Sequence, residues 1–278
     1  MNGFASFWRR YRRNRAAVVA AFVLILILAV AIAGPLLYPV DPFDMVGRPF
    51  QPPLQRFLLG TDVAGRDILA GLLHGARVSL LIGVLASVVA TAIGVGIGAL
   101  AGYYGGWIDN LLMRITEFFL TIPSFVLAVV LVAIFSPTVF SITFSIAIVS
   151  WPSVARLTRG EFIAHRDREY VLGARALGMP DREIILLQIL PNALPPIIVV
   201  SSLMVATAIL TESGLSFLGL SDPNVVSWGY MIGVARTVLR TAWWMAAIPG
   251  VMILITVLAI NLVGEGLNDA LNPRLRRR

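Results

Sequence analysis

Long runs without a charged residue dominate the chain, and they predict helices that cross a membrane. A transmembrane helix needs about 20 consecutive, mostly apolar residues. Five runs reach that length: 16–38, 78–104, 118–155, 184–211 and 241–264. The third run is too long for one helix and contains Ser-Pro-Thr at 136–138, which favours a turn, so we divide it into two spans. With the fifth span beginning near Leu194, the pattern predicts an all-α, polytopic membrane protein with six transmembrane helices.

The polar segments divide the rest of the chain. A basic N-terminal segment, 1–15, precedes the first span, 16–38, and an external loop, 39–77, follows it. We then expect a five-helix core, 78–264, and a basic C-terminal tail, 265–278. The second half of the external loop, from Asp67 to Leu81, is amphipathic and is predicted to lie along the membrane surface. The five-helix core contains one substantial polar loop, 156–190.

Composition and charge agree with this pattern and orient it. The chain is 58% hydrophobic and only 13% charged, whereas a soluble domain is about 25% charged. Sixteen of the 22 basic residues, all arginine, lie in the two terminal segments, in the loop between spans two and three, and in the loop 156–190. Because cytoplasmic loops carry the excess of basic residues, both termini are predicted to be cytoplasmic. The same distribution explains the net charge of +7 without a nucleic-acid partner.

Several classes of protein are excluded or disfavoured by residues that the sequence lacks. There is no cysteine, and His74 and His165 lie far apart, so no metal-binding cluster is predicted. There is no phosphate-binding loop and no lysine with which to build one. No catalytic set is recognisable, and we predict neither an enzyme nor a cofactor in this chain. The first run is longer than the core of a signal peptide, about 7–15 residues, so we expect a retained helix.

The loop 156–190 carries the most specific local pattern. Gly178 can adopt the left-handed conformation that ends a helix, and Pro180 and Asp181 suit the start of the next one. Pro191 marks the start of the fifth span. The pattern predicts a compact helical knob that could dock in a groove of another protein; the alternative is an ordinary solvated loop. An apolar stripe favours the knob: Tyr170, Ala174 and Leu177.

This segment resembles the EAA loop of importer permeases of the ATP-binding-cassette (ABC) class. Ala174, Gly178 and Leu190-Pro191 match its pattern, whereas Leu172, Gly173 and Gln188 replace its usual glutamate, alanine and isoleucine. In that family the loop inserts into a cleft of the cytoplasmic ATPase. The resemblance therefore implies a coupling role, with docking by shape and apolar contact because Leu172 cannot form the usual ion pair. The implied coupling residues are Glu169, Tyr170, Leu172, Gly173, Ala174, Leu177, Gly178 and Pro191.

Further segments extend the resemblance over nearly the whole chain. They are similar to the second, C-type permease of the dipeptide, oligopeptide and nickel group, and they lie at 59–67, 75–80, 102–107, 216–220, 227–229 and 272–275. The resemblance implies a type I ABC importer permease fold in a bacterial inner membrane. It also implies a homologous second permease, two cytoplasmic ATPase subunits that bind ATP and Mg²⁺, and an external solute-binding protein. The solute stays open among peptides, glutathione, nickel complexes and opine-like compounds.

An acidic residue lies at the outer end of the fifth span. A carboxylate near membrane depth is costly and is a functional candidate. Glu212 could line the solute path, or it could pair with Arg236 or Arg240, and we favour the pairing. Residues 212–240, which include Ser216 and Trp228, are expected to form an external gate that faces the binding protein.

Two residue spacings also predict helix contacts. Gly94, Gly98 and Gly102 repeat every four residues, which lets helices approach closely, although glycine is common in membrane helices in any case. Arg114 and Glu117 lie three residues apart and are expected to pair on the helix that leads into span three.

Two other functions compete with an ABC permease. A self-sufficient secondary transporter or channel would show an inverted repeat, broken helices near the middle of the membrane, or several buried ionisable groups. We find no repeat, and the spans are nearly free of charge. A membrane-embedded enzyme is disfavoured because no catalytic set is present.

Overall fold

The computed structural model describes residue 8 and residues 10–271. Within them the chain is helical, and the only β-type pairing is two isolated bridges, Met45 with Arg66 and Thr61 with Asp67. From Arg15 to Leu271 the structure describes ten α-helices: α1 Arg15–Leu37, α2 Ile68–Tyr104, α3 Gly106–Thr121, α4 Ser124–Phe135, α5 Val139–Arg166, α6 Glu169–Ala176, α7 Asp181–Glu183, α8 Leu190–Phe217, α9 Trp228–Ala235 and α10 Trp244–Leu271. A π-helical turn, Ile184–Ile189, joins α7 to α8. The ends of the predicted terminal segments, 1–7 with residue 9 and 272–278, lie outside the described residues.

Five of the described helical segments are long and apolar enough to cross a membrane: α1, α2, α5, α10 and the continuous run Asp181–Phe217. A sixth span results if α3 and α4 are counted together, but these two helices are bent by 86° relative to each other. The count agrees with six predicted spans, and the predicted turn at 136–138 separates α4 from α5. The third span, however, is a broken helix and not a straight one.

Pro123 explains the break between α3 and α4. A proline has no amide hydrogen to donate and disfavours a helical conformation in the residue before it. Ile122 accordingly adopts an extended conformation, with φ −87° and ψ 129°, and α4 restarts at Ser124. The apolar run from 118 onwards is uninterrupted, so hydrophobicity alone did not indicate this break.

The second span is longer than predicted. Asp67 begins α2 by accepting a hydrogen bond from the Leu69 amide at 2.8 Å, and the helix continues without interruption to Tyr104. The prediction that 67–81 forms its own helix along the membrane surface is therefore wrong, because these residues form the start of α2. At about 1.5 Å per residue, α2 is much longer than a hydrocarbon core of about 30 Å.

The same aspartate connects the end of α1 to the start of α2. Tyr38 Oη donates a hydrogen bond to Asp67 Oδ2 at 2.5 Å. This hydrogen bond, with burial and the nearby negative charge, raises the pKa of Tyr38 to about 12. Asp67 is 3% exposed, and each of its carboxylate oxygens accepts a hydrogen bond.

Gly94, Gly98 and Gly102 of α2 lie on the face that packs against α5, the most extensive helix contact of the described chain. A Cβ added at Gly94 would lie 2.6 Å from Val154 Cβ, and one at Gly102 would lie 2.6 Å from Phe162 Cβ. A Cβ at Gly98 would overlap the carbonyl oxygen of Ala155. The prediction of close helix packing from this spacing is confirmed.

A proline inside α1 is accommodated by an arginine from α2. Pro35 cannot donate the helical hydrogen bond to the carbonyl of Ala31, which is buried. Arg77 Nε donates to that carbonyl at 2.6 Å, and Arg77 Nη2 donates to the carbonyl of Ile32 at 2.5 Å. Arg77 thereby replaces the hydrogen bond that the proline removes and fastens α1 to α2.

We expect Arg77→Leu to destabilise the protein by about 1–3 kcal/mol, because it leaves a buried carbonyl without a donor. The loss should be smaller when Pro35 is also replaced by alanine, since the new amide hydrogen can bond to Ala31. Thermal unfolding of the purified transporter, for both single variants and the double variant, measures this coupling. Equal losses in the two backgrounds would show that Arg77 acts elsewhere.

Candidate functional site

The helical knob, which we define as residues 167–183, ends its first helix as the sequence predicts. Gly178 has φ +76°, a left-handed conformation that a side chain disfavours. Its amide donates to the carbonyl of Arg175 at 2.9 Å, and the Met179 amide donates to the carbonyl of Ala174 at 3.1 Å. These two hydrogen bonds form a Schellman motif, which turns the chain sharply from α6 towards α7.

Contacts on one side hold the knob against the membrane-spanning helices. Val171 and Ala174 are buried in a cluster with Phe162 of α5 and with the π-helical turn. Tyr103 Oη, near the end of α2, donates to Asp181 Oδ1 at 2.5 Å. The guanidinium of Arg175 lies 5.1 Å from the centre of the Tyr103 ring, within the range of a cation–π interaction. These contacts connect the knob to α2 and to α5.

The opposite side of the knob exposes apolar residues. Leu177 is 88% exposed and Leu172 is 49% exposed. Gly173 is also exposed, and a Cβ there would meet no atom within 4 Å. The predicted stripe is wrong in part, because Ala174 faces the protein whereas Leu177 faces outwards. Val171, three positions earlier, is buried on the same side as Ala174.

Three predicted coupling residues lie at the edges of the knob. Glu169 is exposed in the first turn of α6. Tyr170 is partly exposed, and its hydroxyl lies 2.8 Å from His165 Nδ1; burial raises its pKa above the usual value. Pro191 is the second residue of α8, directly after the π-helical turn, so the knob leads into the fifth span without a break.

Glu212 lies inside the protein, 1% exposed. Its Oε1 accepts hydrogen bonds from Ser216 Oγ at 3.0 Å and from Ser227 Oγ at 2.6 Å. Ser227 also caps α9 by accepting from the Tyr230 amide at 2.9 Å. A Cβ added at Gly229 would lie 2.6 Å from Glu212 Oε2, so only glycine fits beside the carboxylate. Glu212 thus joins α8 to the start of α9.

The prediction that Glu212 pairs with Arg236 or Arg240 is wrong. Neither salt bridge found among the described residues involves Glu212. Arg236 Nη1 donates instead to the carbonyl of Phe217, at 2.7 Å. The hydroxyl groups of serines satisfy the carboxylate, and the sequence separation of 15 residues to Ser227 gave no local signal for this contact.

Trp228 is also buried rather than placed on a surface. Its indole Nε1 donates to the carbonyl of Leu72 at 2.9 Å, and its amide donates to Ser79 Oγ at 3.0 Å. Ser216 is fully buried as well. The structure brings Glu212, Ser216 and Trp228 close to the α8–α9 junction, but in this conformation none presents its side chain to a solute.

Two open cavities that the sequence did not indicate lie beside α3 and α5, and α8 and the start of α4 also line the smaller one. The smaller, about 450 Å³, contains hydroxyl groups from Ser150, Ser153, Thr207 and Thr211. The larger, about 860 Å³, is lined by charged residues from both helices: Asp109, Arg114, Glu117, Arg156 and Arg159. Arg156 and Arg159 fall within the predicted loop 156–190, but the structure places them in the last turns of α5.

The expected pair of Arg114 and Glu117 does not form a salt bridge. Instead, Arg159 on α5 binds Asp109 on α3, with Nε to Oδ1 at 2.5 Å and Nη2 to Oδ2 at 2.6 Å. A bidentate pair of this kind fixes the relative orientation of its two partners. It connects the first turns of α3 to α5 beside the larger cavity.

Comparison with known proteins assigns the family. Residues 94–277 match the binding-protein-dependent transport system inner membrane component family, and residues 4–53 match the N-terminal transmembrane domain of oligopeptide transport permease C. The first match spans the helices that hold the knob, the cavities and Glu212.

Full-length relatives agree with these matches. The chain is 40% identical to the di/tripeptide transport system permease protein DppC of Pseudomonas aeruginosa (strain UCBPP-PA14), over 97% of this chain and 92% of the relative. It is 38% identical to the dipeptide transport system permease protein DppC of Escherichia coli (strain K12), over 100% and 95%. It is also 38% identical to the glutathione transport system permease protein GsiD of Pectobacterium atrosepticum, over 97% and 91%.

A solved structure shows the same fold. A chain of the inward-facing MetNI methionine ABC transporter superposes with a TM-score of 0.61 at 17% identity, over 73% of this chain and 96% of that one. Together with the relatives, this likeness favours an importer permease over a secondary transporter, even though α3 and α4 form a broken helix. The chain belongs to the binding-protein-dependent transport system inner membrane components, the membrane-spanning permease subunits of ABC importers.

Proposed function

We propose that this permease forms, with a homologous second permease, the path for di- or oligopeptides or a related small solute. Two cytoplasmic ATPase subunits would bind ATP and Mg²⁺, and an external solute-binding protein would deliver the solute. Relatives named for dipeptide, di/tripeptide and glutathione transport support a small peptide-like solute. The arginine distribution supports a bacterial inner membrane protein with both termini in the cytoplasm.

The exposed apolar side of the knob is the observation that carries the coupling role. A single exposed leucine is ordinary on a protein surface, whereas a group of exposed apolar residues marks an interaction site. Leu172 and Leu177 are both exposed on this side of the knob. Leu172 lies on the same short helix, and no acid stands at its position to form an ion pair. Docking to the ATPase would therefore depend on apolar contact.

The contacts behind the knob explain how docking would be coupled to transport. Closure of the ATPase dimer would displace Leu177 and Leu172 together. The hydrogen bond between Tyr103 and Asp181 would transmit this movement to α2, and the π-helical turn would transmit it to α8. The spans would then rock between outward-open and inward-open forms, with no covalent chemistry in this chain.

We expect Leu177→Asp to lower ATPase binding at least about tenfold, because burying a leucine contributes about 1.5–3 kcal/mol and tenfold corresponds to about 1.4 kcal/mol. The fold should be unaffected, since the side chain is 88% exposed. Co-purification of the ATPase with the permease, and peptide-stimulated ATP hydrolysis, measure the loss.

Leu54→Asp is the matched control, because Leu54 is 80% exposed but lies in the loop between α1 and α2. It should leave ATPase binding unchanged. Wild-type ATPase binding by Leu177→Asp would refute docking through the knob. Peptide transport by the purified permease alone, without ATP, would instead support a secondary transporter.

A further inference from the structure

The two cavities between α3 and α5 follow one another along the same pair of helices. On α3, residues between Asp109 and Glu117 line the larger cavity, and Phe119 and Leu120 line the smaller one. On α5, Arg156 and Arg159 line the larger cavity, whereas Val149, Ser150 and Ser153 line the smaller one. We call these two neighbouring cavities together the α3–α5 groove. Its two sections have different chemistry.

The smaller section has a mostly apolar lining with several hydroxyl groups, and none of its lining side chains is ionisable. It lies beside the helix break at Ile122–Pro123, where backbone leaves the helical pattern. Within a membrane, irregular backbone is tolerated where it lines a cavity or is buried in protein. Hydroxyl groups from α5 and α8 can accept and donate hydrogen bonds without the cost of a buried charge.

The larger section carries charges of both signs. Arg159 and Asp109 satisfy each other through their bidentate pair. The side chains of Arg114, Glu117 and Arg156 have no hydrogen bond or ion pair to any residue that the structure describes. Two guanidinium groups and one carboxylate therefore face a cavity of about 860 Å³, a volume within the usual range of about 300–1,000 Å³ for small-molecule sites.

This set of charges complements a zwitterion. A guanidinium group binds a carboxylate through parallel hydrogen bonds, and a carboxylate binds an ammonium group. Arg114 and Glu117 lie on one face of α3, three residues apart, with Arg156 on the neighbouring helix. An anion alone would leave Glu117 unmatched, and a cation alone would leave both arginines unmatched.

We propose that the α3–α5 groove is this subunit's wall of the solute path, and that its charged section binds small zwitterionic peptides. Arg114 and Arg156 receive the peptide carboxylate, and Glu117 receives the ammonium group. The uncharged section passes the peptide bond and side chains by hydrogen bonding and apolar contact. This inference rests on the proposed function, and with cytoplasmic termini the charged section lies at the inner end of the path.

Direct binding to the complete transporter tests the inference without selection by the solute-binding protein. The probes are dialanine, N-acetyl-dialanine, which lacks the ammonium group, and dialanine amide, which lacks the carboxylate. We expect the wild type to prefer dialanine to both blocked peptides by about tenfold or more, as for hydrogen bonds between charged groups. Glu117→Gln should remove the preference over N-acetyl-dialanine, and Arg114→Gln with Arg156→Gln should remove the preference over the amide.

Arg13→Gln and Glu265→Gln are matched controls, because both residues are exposed outside the groove and should leave all three affinities unchanged. An unaltered preference in the groove variants, or an equal loss for all three peptides, would overturn the inference. The inference would also be overturned if the groove variants lost the second permease on purification without a change in peptide preference. The groove would then be a contact between subunits. If the wild type with its binding protein and ATP imports no peptide, the proposed function fails; if it does import, only the groove assignment is at stake.

Discussion

Replacing Gly98 with valine is expected to abolish the folded permease, whereas the same change at Gly96 should be tolerated. A Cβ at Gly98 would overlap the carbonyl oxygen of Ala155 and would lie 2.7 Å from Thr158 Cβ. The carbonyl belongs to the backbone of α5, so no side-chain rotation can relieve the overlap. A Cβ at Gly96, two positions earlier on the same helix, meets no atom within 4 Å.

The size of the effect follows from the packing of α2 on α5. Overfilling a packed interior costs about 1–3 kcal/mol when neighbours can shift, and here the neighbouring backbone would have to move along the whole contact. A native protein has only about 5–15 kcal/mol of stability. Separation of α2 from α5 would also open the cluster around Phe162 that holds the knob.

Detection of folded protein by size-exclusion chromatography after detergent extraction, followed by thermal unfolding of any folded fraction, measures this prediction. Both variants carry the same helix-propensity cost of valine, so their difference reports on packing alone. Similar yields and melting temperatures for the two variants would contradict the close approach of α2 and α5 at Gly98.

The parts of the fold that were predictable from sequence have local causes. The apolar runs fixed the number of spans, and α1 was placed within one residue at each end. The turn at Gly178 depends on backbone chemistry of a few residues, so it too was predicted. The spacing of Gly94, Gly98 and Gly102 indicated a packed face, because residues four positions apart lie on the same side of a helix.

The proline residues show why the third span was not predictable. Pro35, Pro152 and Pro249 lie inside continuous helices, whereas Pro123 breaks one. The residue type is the same, so the outcome depends on the surroundings. At Pro35, Arg77 from another helix supplies the missing donor. No sequence pattern near Pro35 predicts this contact.

The candidate site was predictable only where its residues are close in sequence. The helix and turn around Gly178 were predicted correctly, but the loop predicted at 156–190 begins later because α5 continues to Arg166. Which apolar residues of the knob face outwards depends on α2 and α5. An eight-residue helix is too short for periodicity to decide its buried face. The α3–α5 groove combines residues about 40 positions apart, so only the fold brings Arg114 and Arg156 to one cavity.

Glu212 should prove to be a structural acceptor, and two substitutions separate this role from a role of its charge in transport. Glu212→Ala removes the acceptor of Ser216 and Ser227 and leaves a cavity. An unsatisfied buried hydroxyl costs about 1–3 kcal/mol, so we expect a loss of about 3 kcal/mol and detachment of α9. Glu212→Gln keeps an oxygen at the position of Oε1, and Ser213 Oγ, 3.5 Å from Oε2, can accept from the new amide.

The melting temperature and the rate of peptide transport per folded molecule should therefore rank the variants in the same order. Glu212→Gln should be close to the wild type, and Glu212→Ala should be far below it. Ser227→Ala should resemble the alanine variant of Glu212, because Ser227 both donates to the carboxylate and caps α9. Ser213→Ala is the matched control, since its contact with the carboxylate is long. A glutamine variant that folds normally but does not transport would show that the carboxyl group itself acts in transport, because the shape of the side chain is retained.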